Sequence, residues 1–329
     1  MYSARFRTAR NSRHELRALR KEEIRPRVHP AKTLSAARSP MNQHEAEQLI
    51  AILGQFSPLK YVPSLVSATL RMHEDALLAQ SKYQDTRSLA RYRAQVCSQN
   101  GEDGIIAEIF RRIGNGNRTF VEIGVGDGDE NNTRFLLESG WRGIWWEASE
   151  SNCTTIRDTY RDELASARLS LIQGMVTTKN AADEIVAAGC AMEFDLLSID
   201  IDMNTSHVWR ALKDFKPRVA VIEYNPAFGP VVDWEVEYDS LAVWPGDNRF
   251  GASLSRMEKI AHGLGYSLVG CELTGINAFF VRSDLVHCGL FQGPFTAAHH
   301  FEPPRFAWLS ASMGHPPAKR KRTAKEPGS

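Results

Sequence analysis

Short apolar runs alternate with amphipathic stretches between residues 119 and 281, and that alternation predicts strands interleaved with helices. Phe120, Val121 and Ile123 mark a strand over 119–123; similar runs predict strands over 143–147, 169–173, 196–200 and 219–224. Helices are expected between them, most clearly over 152–164 and 207–212. Leu254, Met257, Ile260, Ala261 and Leu264 fall at helical spacing on one face, and Gly265 is placed to end that helix in a left-handed cap. Two closing strands, 266–271 and 277–281, are joined by a short turn through Thr274 and Gly275. Strands and helices in this order predict an α/β fold with a doubly wound, mostly parallel sheet.

Upstream the period changes. Leu49, Ile52, Leu53 and Phe56 make one helical stripe, and Leu65, Val66, Leu70, Leu77 and Leu78 make another after Pro58 and Pro63. They predict a helical extension over 43–93 that forms a lid or an oligomer contact beside a main domain at 94–290. Residues 1–42 are Arg-rich without apolar periodicity and read as a disordered leader. Met41 is an alternative start that would exclude most of that leader. Residues 291–329 read as a C-terminal extension with a basic tail.

Composition narrows the class. Of 329 residues, 43% are hydrophobic and 24% charged, the balance of a globular chain with a sizeable core. No apolar run approaches the roughly 18–20 residues that span a bilayer, and no signal-peptide pattern opens the chain. Five dispersed cysteines without a Cys-x-x-Cys pair fit reduced thiols and a cytoplasmic protein. The net charge of +1 conceals an asymmetry: residues 1–40 carry 11 Lys and Arg against 3 Asp and Glu. Lys319, Arg320, Lys321 and Arg322 form a second basic cluster. Basic ends on an acidic body allow a polyanion-binding role, with nucleic acid the less favoured partner and solvated tails the simplest reading.

The chemistry is concentrated at 119–148. Glu122 lies in the first strand, Gly124, Gly126 and Gly128 follow it, and the second strand ends in Glu147. A backbone that leaves a strand sharply and lets a ligand lie against it needs glycines, and an acid at the next strand tip can accept ribose hydroxyls. A glycine-rich loop in another α/β protein is the alternative. A dinucleotide site asks for Gly-x-Gly-x-x-Gly, but the residue three after Gly126 is Asp129, which disfavours a nicotinamide enzyme. Gly-x-Gly-x-Gly after an acidic strand residue resembles motif I of class I S-adenosylmethionine-dependent methyltransferases. The resemblance implies a Rossmann-like seven-stranded, mostly parallel sheet with an antiparallel closing pair. It also implies that the glycine turn faces the methionine half of S-adenosylmethionine while Glu147 holds the ribose. Asp127 and Ala148 flank these positions, Gly174 and Met175 at the third strand end would lie near adenine, and Asp200 would close the cleft.

The remaining strand ends carry more acids. The fourth runs into Asp200, Ile201, Asp202, Met203 and Asn204, and the fifth into Glu223, Tyr224 and Asn225. Carboxylates converging on one cleft are costly unless they bind cations, hydroxyls or a shared proton. Two readings follow: Asp202, Glu223 or Asn225 assist proton removal from a hydroxyl, or Asp200 or Asp202 with Glu223 and Asn225 holds a divalent metal. The second loosely resembles cation-dependent catechol-type O-methyltransferases. His207, opening the next helix, is a further candidate base, or simply a surface residue. The long connection 226–250 carries Trp234, Tyr238 and Trp244, which could stack on a planar acceptor or fold the loop onto its own domain.

Ser98, Gln99, Asn100, Gly101, Glu102 and Asp103 precede an apolar helix face at Ile105, Ile106 and Ile109. Together with the glycine motif, a Gly-Trp-Arg-Gly turn, the acids at 200–202, the run 221–225, Phe250 to Leu254 and Asn277 to Val281, the hexapeptide resembles the FkbM-like branch of these methyltransferases. That resemblance spans about residues 94–285. It adds Gln99, Glu102 and Asp103 to the cofactor-binding residues, and it implies O-methylation of a hydroxyl on a sugar or natural product. The family pattern Ile-Asp-Gly-Asn-Asp-Tyr stands here as Ile201 to Ser206, without its glycine and second acid. A non-catalytic module retaining the cofactor fold is therefore the alternative to an enzyme.

Overall fold

The computed structural model describes residues 61–306. The Arg-rich leader, the stripe at 49–56 and the basic cluster at 319–322 lie outside the described residues. Packing divides the chain after Lys60, and everything described belongs to the second unit.

A helix, α1 (Val62–Leu78), opens the described unit, and α2 (Glu102–Ile113) precedes the sheet. The strands are β1 (Thr119–Ile123), β2 (Arg142–Glu147), β3 (Leu169–Gln173), β4 (Leu196–Ile199), β5 (Val219–Glu223), β6 (Tyr266–Cys271) and β7 (Asn277–Arg282). They form one seven-stranded sheet in the order β3-β2-β1-β4-β5-β7-β6, with β7 antiparallel to both neighbours and the other pairs parallel. The chain steps outward from β1 to β3 and then returns to place β4 beside β1. That reversal opens a crevice at the carboxyl ends of β1 and β4, the place where open α/β sheets bind ligands.

Alternation along the strands sends side chains to two core layers. Val121, Ile123, Trp146, Leu197 and Ile222 point to one face, where they meet α6 (Ala181–Ala187), α7 (Thr205–Ala211) and α8 (Leu254–Leu264). Phe120, Trp145, Leu196, Val221 and Phe279 point to the other, where Ile105, Ile109 and Phe110 of α2 and Leu137 of α3 (Arg134–Glu138) cover them. Gly265 ends α8 with φ 87, as the left-handed cap requires.

The predicted helix over 152–164 is two helices, α4 (Glu150–Thr159) and α5 (Arg161–Ala165), broken at Tyr160. Tertiary contacts hold that residue: its hydroxyl donates to the Gly128 carbonyl at 2.6 Å, and its ring meets Trp145 edge-on at 4.7 Å. After β7 the chain contributes Phe291 and, on α9 (Ala297–His300), Ala297 to the core. No described helix is long and apolar enough to cross a membrane. All five cysteines are free thiols.

Candidate functional site

The glycines after β1 differ in what each one solves. Gly124 has φ 88, and a Cβ there would fall 1.8 Å from the Asp200 carbonyl oxygen, so only glycine lets the β4 tip come this close. Gly126 has φ 59 and nothing within 4 Å of the Cβ position, so its missing side chain leaves open space in the crevice. Gly128 serves packing: its Cβ position lies 3.0 Å from Trp145 and 3.1 Å from Tyr160, and it lines neither cavity described below.

Glu147, at the tip of β2, reaches back to this bend. Its Oε2 accepts from the Gly126 amide at 2.9 Å and its Oε1 from the Ser149 amide at 2.8 Å. Oε1 also accepts from Asn152 Nδ2 at 3.4 Å, so it is Oε2 that retains a lone pair for a hydroxyl. Both features border a cleft of about 320 Å³ with Ala148, Gly174, Met175 and Asp200 along its rim. Trp146, Val176 and Ile201 supply apolar wall, and Ala242, Val243 and Trp244 of the long connection close one side. Asn204 also lines it; its Nδ2 donates to the Asp239 carbonyl, while its buried Oδ1 has no partner.

A second cavity of about 250 Å³ shares Gly124, Gly126 and Asp200 with the first. Gln99, Glu102, Glu122 and Asp127 line it, joined by Glu130 and several asparagines. Glu102 accepts from the Asn100 amide and from Asn277 Nδ2, both at 2.9 Å. Glu122 lies within the β1 core and accepts from Asn132 N, from Thr133 N and Oγ1, and from Ser198 Oγ. Burial pushes its carboxyl up to about 7 against those donors, which favour the charged form.

The acids of β4 and β5 also meet. Glu223 Oε2 accepts from the Asp202 amide at 3.0 Å, and Asp202 adopts a left-handed φ of 57, a conformation Asp tolerates better than most residues. Burial raises Asp200 first, the Asp202 charge raises it further, and a hydrogen bond from Glu223 holds it down. Burial and then the charges of Asp200 and Asp202 raise Glu223. Asp200 and Glu223 thus titrate as one interacting pair, and burial is the first cause that holds both carboxyls up.

Three candidates are committed elsewhere. The Asn225 Nδ2 donates to the carbonyls of Asn248 and Phe250, and its Oδ1 caps Ala227 N, so its amide pins the base of the long connection. His207 bonds the Val236 carbonyl and Arg210 at 2.8 Å each, and its ring lies 5.4 Å from Tyr238. Asp103 accepts from the amides of Val96, Cys97 and Ser98 and shapes the hexapeptide turn. Among the described residues no group of three or more His, Cys, Asp or Glu is arranged to hold a metal ion. Sequence reasoning missed Asn131, Asn132, Glu130 and Val243; the polar run after the glycines was the available signal for three of them.

Sheet order, glycine bend and acid tip together define a Rossmann-like α/β protein with a ligand crevice at its topological switch point. No family model and no curated protein matches the chain. Solved structures do. An O-methyltransferase from Bacillus cereus in complex with SAH aligns at 15% identity over 65% of this chain and 88% of that one, with TM-score 0.36. The CcbJ methyltransferase from Streptomyces caelestis aligns at 14% over 60% and 97%, with TM-score 0.35. The glycopeptide N-methyltransferase MtfA complexed with sinefungin aligns at 15% over 55% and 94%, with TM-score 0.33. Likeness of that degree says nothing about activity.

Proposed function

We propose that this chain is an S-adenosylmethionine-dependent methyltransferase of the FkbM-like branch that O-methylates a hydroxyl-bearing small molecule. The observation that carries the reading is the direct joint between the Gly126 bend and Glu147 at the edge of a 320 Å³ cleft. The residues fit the cofactor: Gly126 and Gly174 leave open space where side chains would stand, and Asn204 presents an unpartnered buried oxygen. Glu147 would hold the ribose, Trp146, Val176 and Ile201 the base, and Gly124 and Asp200 the centre. When bound, S-adenosylmethionine supplies an electrophilic methyl group on a sulfonium that leaves as a neutral thioether.

The chain's own residues position the acceptor and take its proton. Asp202, at the cleft edge beside the Asp200–Glu223 pair, is the base we assign, because it lines the cleft and burial raises its carboxyl toward neutrality. The left-handed turn at Asp202, with its amide tied to Glu223, fixes where that carboxylate stands. Holding the hydroxyl in line supplies a large share of the rate. Calorimetric titration with S-adenosylhomocysteine tests the reading. Binding by the full chain, weakened at least tenfold in Glu147→Ala, is expected; a well-folded protein that does not bind, or a variant that binds equally well, refutes it.

A further inference from the structure

The connection over 226–250 is tied on both sides of the first cleft. On the α7 side His207 carries its proton on Nε2, because Arg210 can only donate to Nδ1, and it donates that proton to the Val236 carbonyl at 2.8 Å. Beyond the end of β3 the Thr178 amide donates to the Tyr238 hydroxyl at 3.2 Å. Asn204 Nδ2 then donates to the Asp239 carbonyl at 2.8 Å, just before Ala242, Val243 and Trp244 line the cleft. Apolar burial does little to hold this stretch, since Leu241 and Val243 are 81% and 78% exposed. Its seating over the cleft therefore leans on Asn204.

Asn204 is 5% exposed, and its Oδ1 is buried without a partner. A flip of the amide does not help, because it would set Oδ1 against the Asp239 carbonyl, acceptor facing acceptor. The indoles of the cleft lining are already spent: Trp146 donates to the Gly174 carbonyl and Trp244 to the Asp247 carbonyl, both at 2.7 Å. The other polar side chains there are the acids Glu147, Asp200 and Asp202, so the donor is left to the ligand. On S-adenosylmethionine the ribose hydroxyls go to Glu147 and the amino-acid end to the second cavity, which leaves the 6-amino group of the base. An empty cleft keeps Oδ1 unpaired at a cost, and lifting the stretch to admit water relieves it. A base that donates to Oδ1 removes the reason to lift.

We propose that Asn204 is a positioning residue: its Oδ1 reads the 6-amino group of the cofactor's base while its Nδ2 holds the 236–244 stretch over the cleft, so that an adenosyl cofactor seats that stretch. The inference rests on the methyltransferase reading and adds to the same site a coupling between cofactor and cover. An acceptor then meets a completed wall only after the cofactor is bound. A 6-oxo base breaks the coupling, since an amide that turns its Nδ2 to meet the oxo group gives up Asp239.

Ala242 N donates to the Asp239 carbonyl at 3.1 Å and Leu241 N to Asp239 Oδ1 at 2.9 Å, so amide exchange over 238–244 reports the seating. Hydrogen–deuterium exchange on the full chain, paired with calorimetric titration, compares S-adenosylhomocysteine with S-inosylhomocysteine. The adenosyl compound is expected to slow exchange there at least fivefold. The inosyl compound should bind at least tenfold more weakly and, at saturation, slow exchange less than twofold. Asn204→Asp keeps an oxygen for the amine but no donor for Asp239; it should bind S-adenosylhomocysteine within fivefold of the unaltered protein without slowing exchange. Equal protection by the two nucleosides, S-adenosylhomocysteine binding without protection, or full protection in Asn204→Asp overturns the proposal and leaves the methyltransferase reading standing. Absence of S-adenosylhomocysteine binding by the folded chain removes both. The comparison of the two nucleosides uses the unaltered protein, so it decides the matter even if Asn204→Asp fails to fold.

Discussion

Gly124 and Gly126 stand two residues apart, and both have positive φ, yet they answer different demands. Gly124 is required by the approach of the Asp200 carbonyl, Gly126 by the emptiness it leaves in the cleft. Gly124→Ala should therefore cost about 2–5 kcal/mol of stability, from left-handed strain and from overpacking against backbone that cannot move aside. Gly126→Ala should cost only about 1–2 kcal/mol from strain while its methyl group obstructs the cleft. Urea denaturation of both variants and titration with S-adenosylhomocysteine separate the two effects. A Gly126→Ala protein that binds with unchanged affinity would show that the bend does not face the ligand.

Among the elements, the segment after β7 does more than its sequence suggests. Glu302 is buried and accepts from Lys82 Nζ at 2.6 Å, Tyr83 OH at 2.8 Å and Arg305 at 2.7 Å. Tyr224 OH donates to the Glu302 carbonyl at 2.8 Å, which ties this segment to the end of β5. Lys82 is 37% exposed, so its share of the stabilisation is small. Most of it lies with the buried Tyr83 hydroxyl, which would lose its acceptor, and with the half-buried Arg305, which would keep the Leu273 carbonyl. Glu302→Ala should destabilise the protein by about 2–4 kcal/mol in urea melts; a loss below 0.5 kcal/mol would show that the segment is not fastened there. The connection 226–250 is likewise secured at its base, by Asn225 and by the pairing of Val236 N with the Gly251 carbonyl, before Val243 and Trp244 reach the cleft.

For the molecule as a whole, collecting acids at one end of the sheet sets its response to pH. Burial holds Glu122 at about 7 in the folded state against an ordinary 4.5. A raised folded value means that the native state binds the proton more tightly than the unfolded chain does. The resulting stability is fully present below about 4.5 and is lost as pH rises through 7. Asp200 adds a contribution of the same sign. Global stability should fall between pH 5 and pH 8, and Glu122→Gln, although weaker overall for its lost acceptor, should reduce that fall by about 2–3 kcal/mol. Denaturant midpoints at the two pH values give the comparison, and a variant with an unaltered pH slope would show that Glu122 is ionised in the native protein throughout.

The sequence by itself determined the order of strands and helices. The β1, β3 and β6 bounds, the α8 bounds and the Gly265 cap are local facts, fixed by apolar period and by which residues tolerate left-handed backbone. It also put Glu122, the glycine bend and Glu147 on consecutive strand ends, because a parallel sheet brings such ends together wherever the chain runs in between. Tertiary structure decided what each polar group does there. Asp103, His207 and Asn225 look like Asp200 and Glu223 in sequence, but the turn amides of 96–98 claim Asp103, and carbonyls of the 226–250 connection claim Asn225 and, with Arg210 one turn along its own helix, His207. Tyr160 breaks its helix to reach Gly128, and Asn100 and Asn277, far apart in the chain, turn together onto Glu102. A hydrogen bond is settled by whichever partner lies within 3 Å or so, and that distance belongs to the folded chain rather than to any local run of residues.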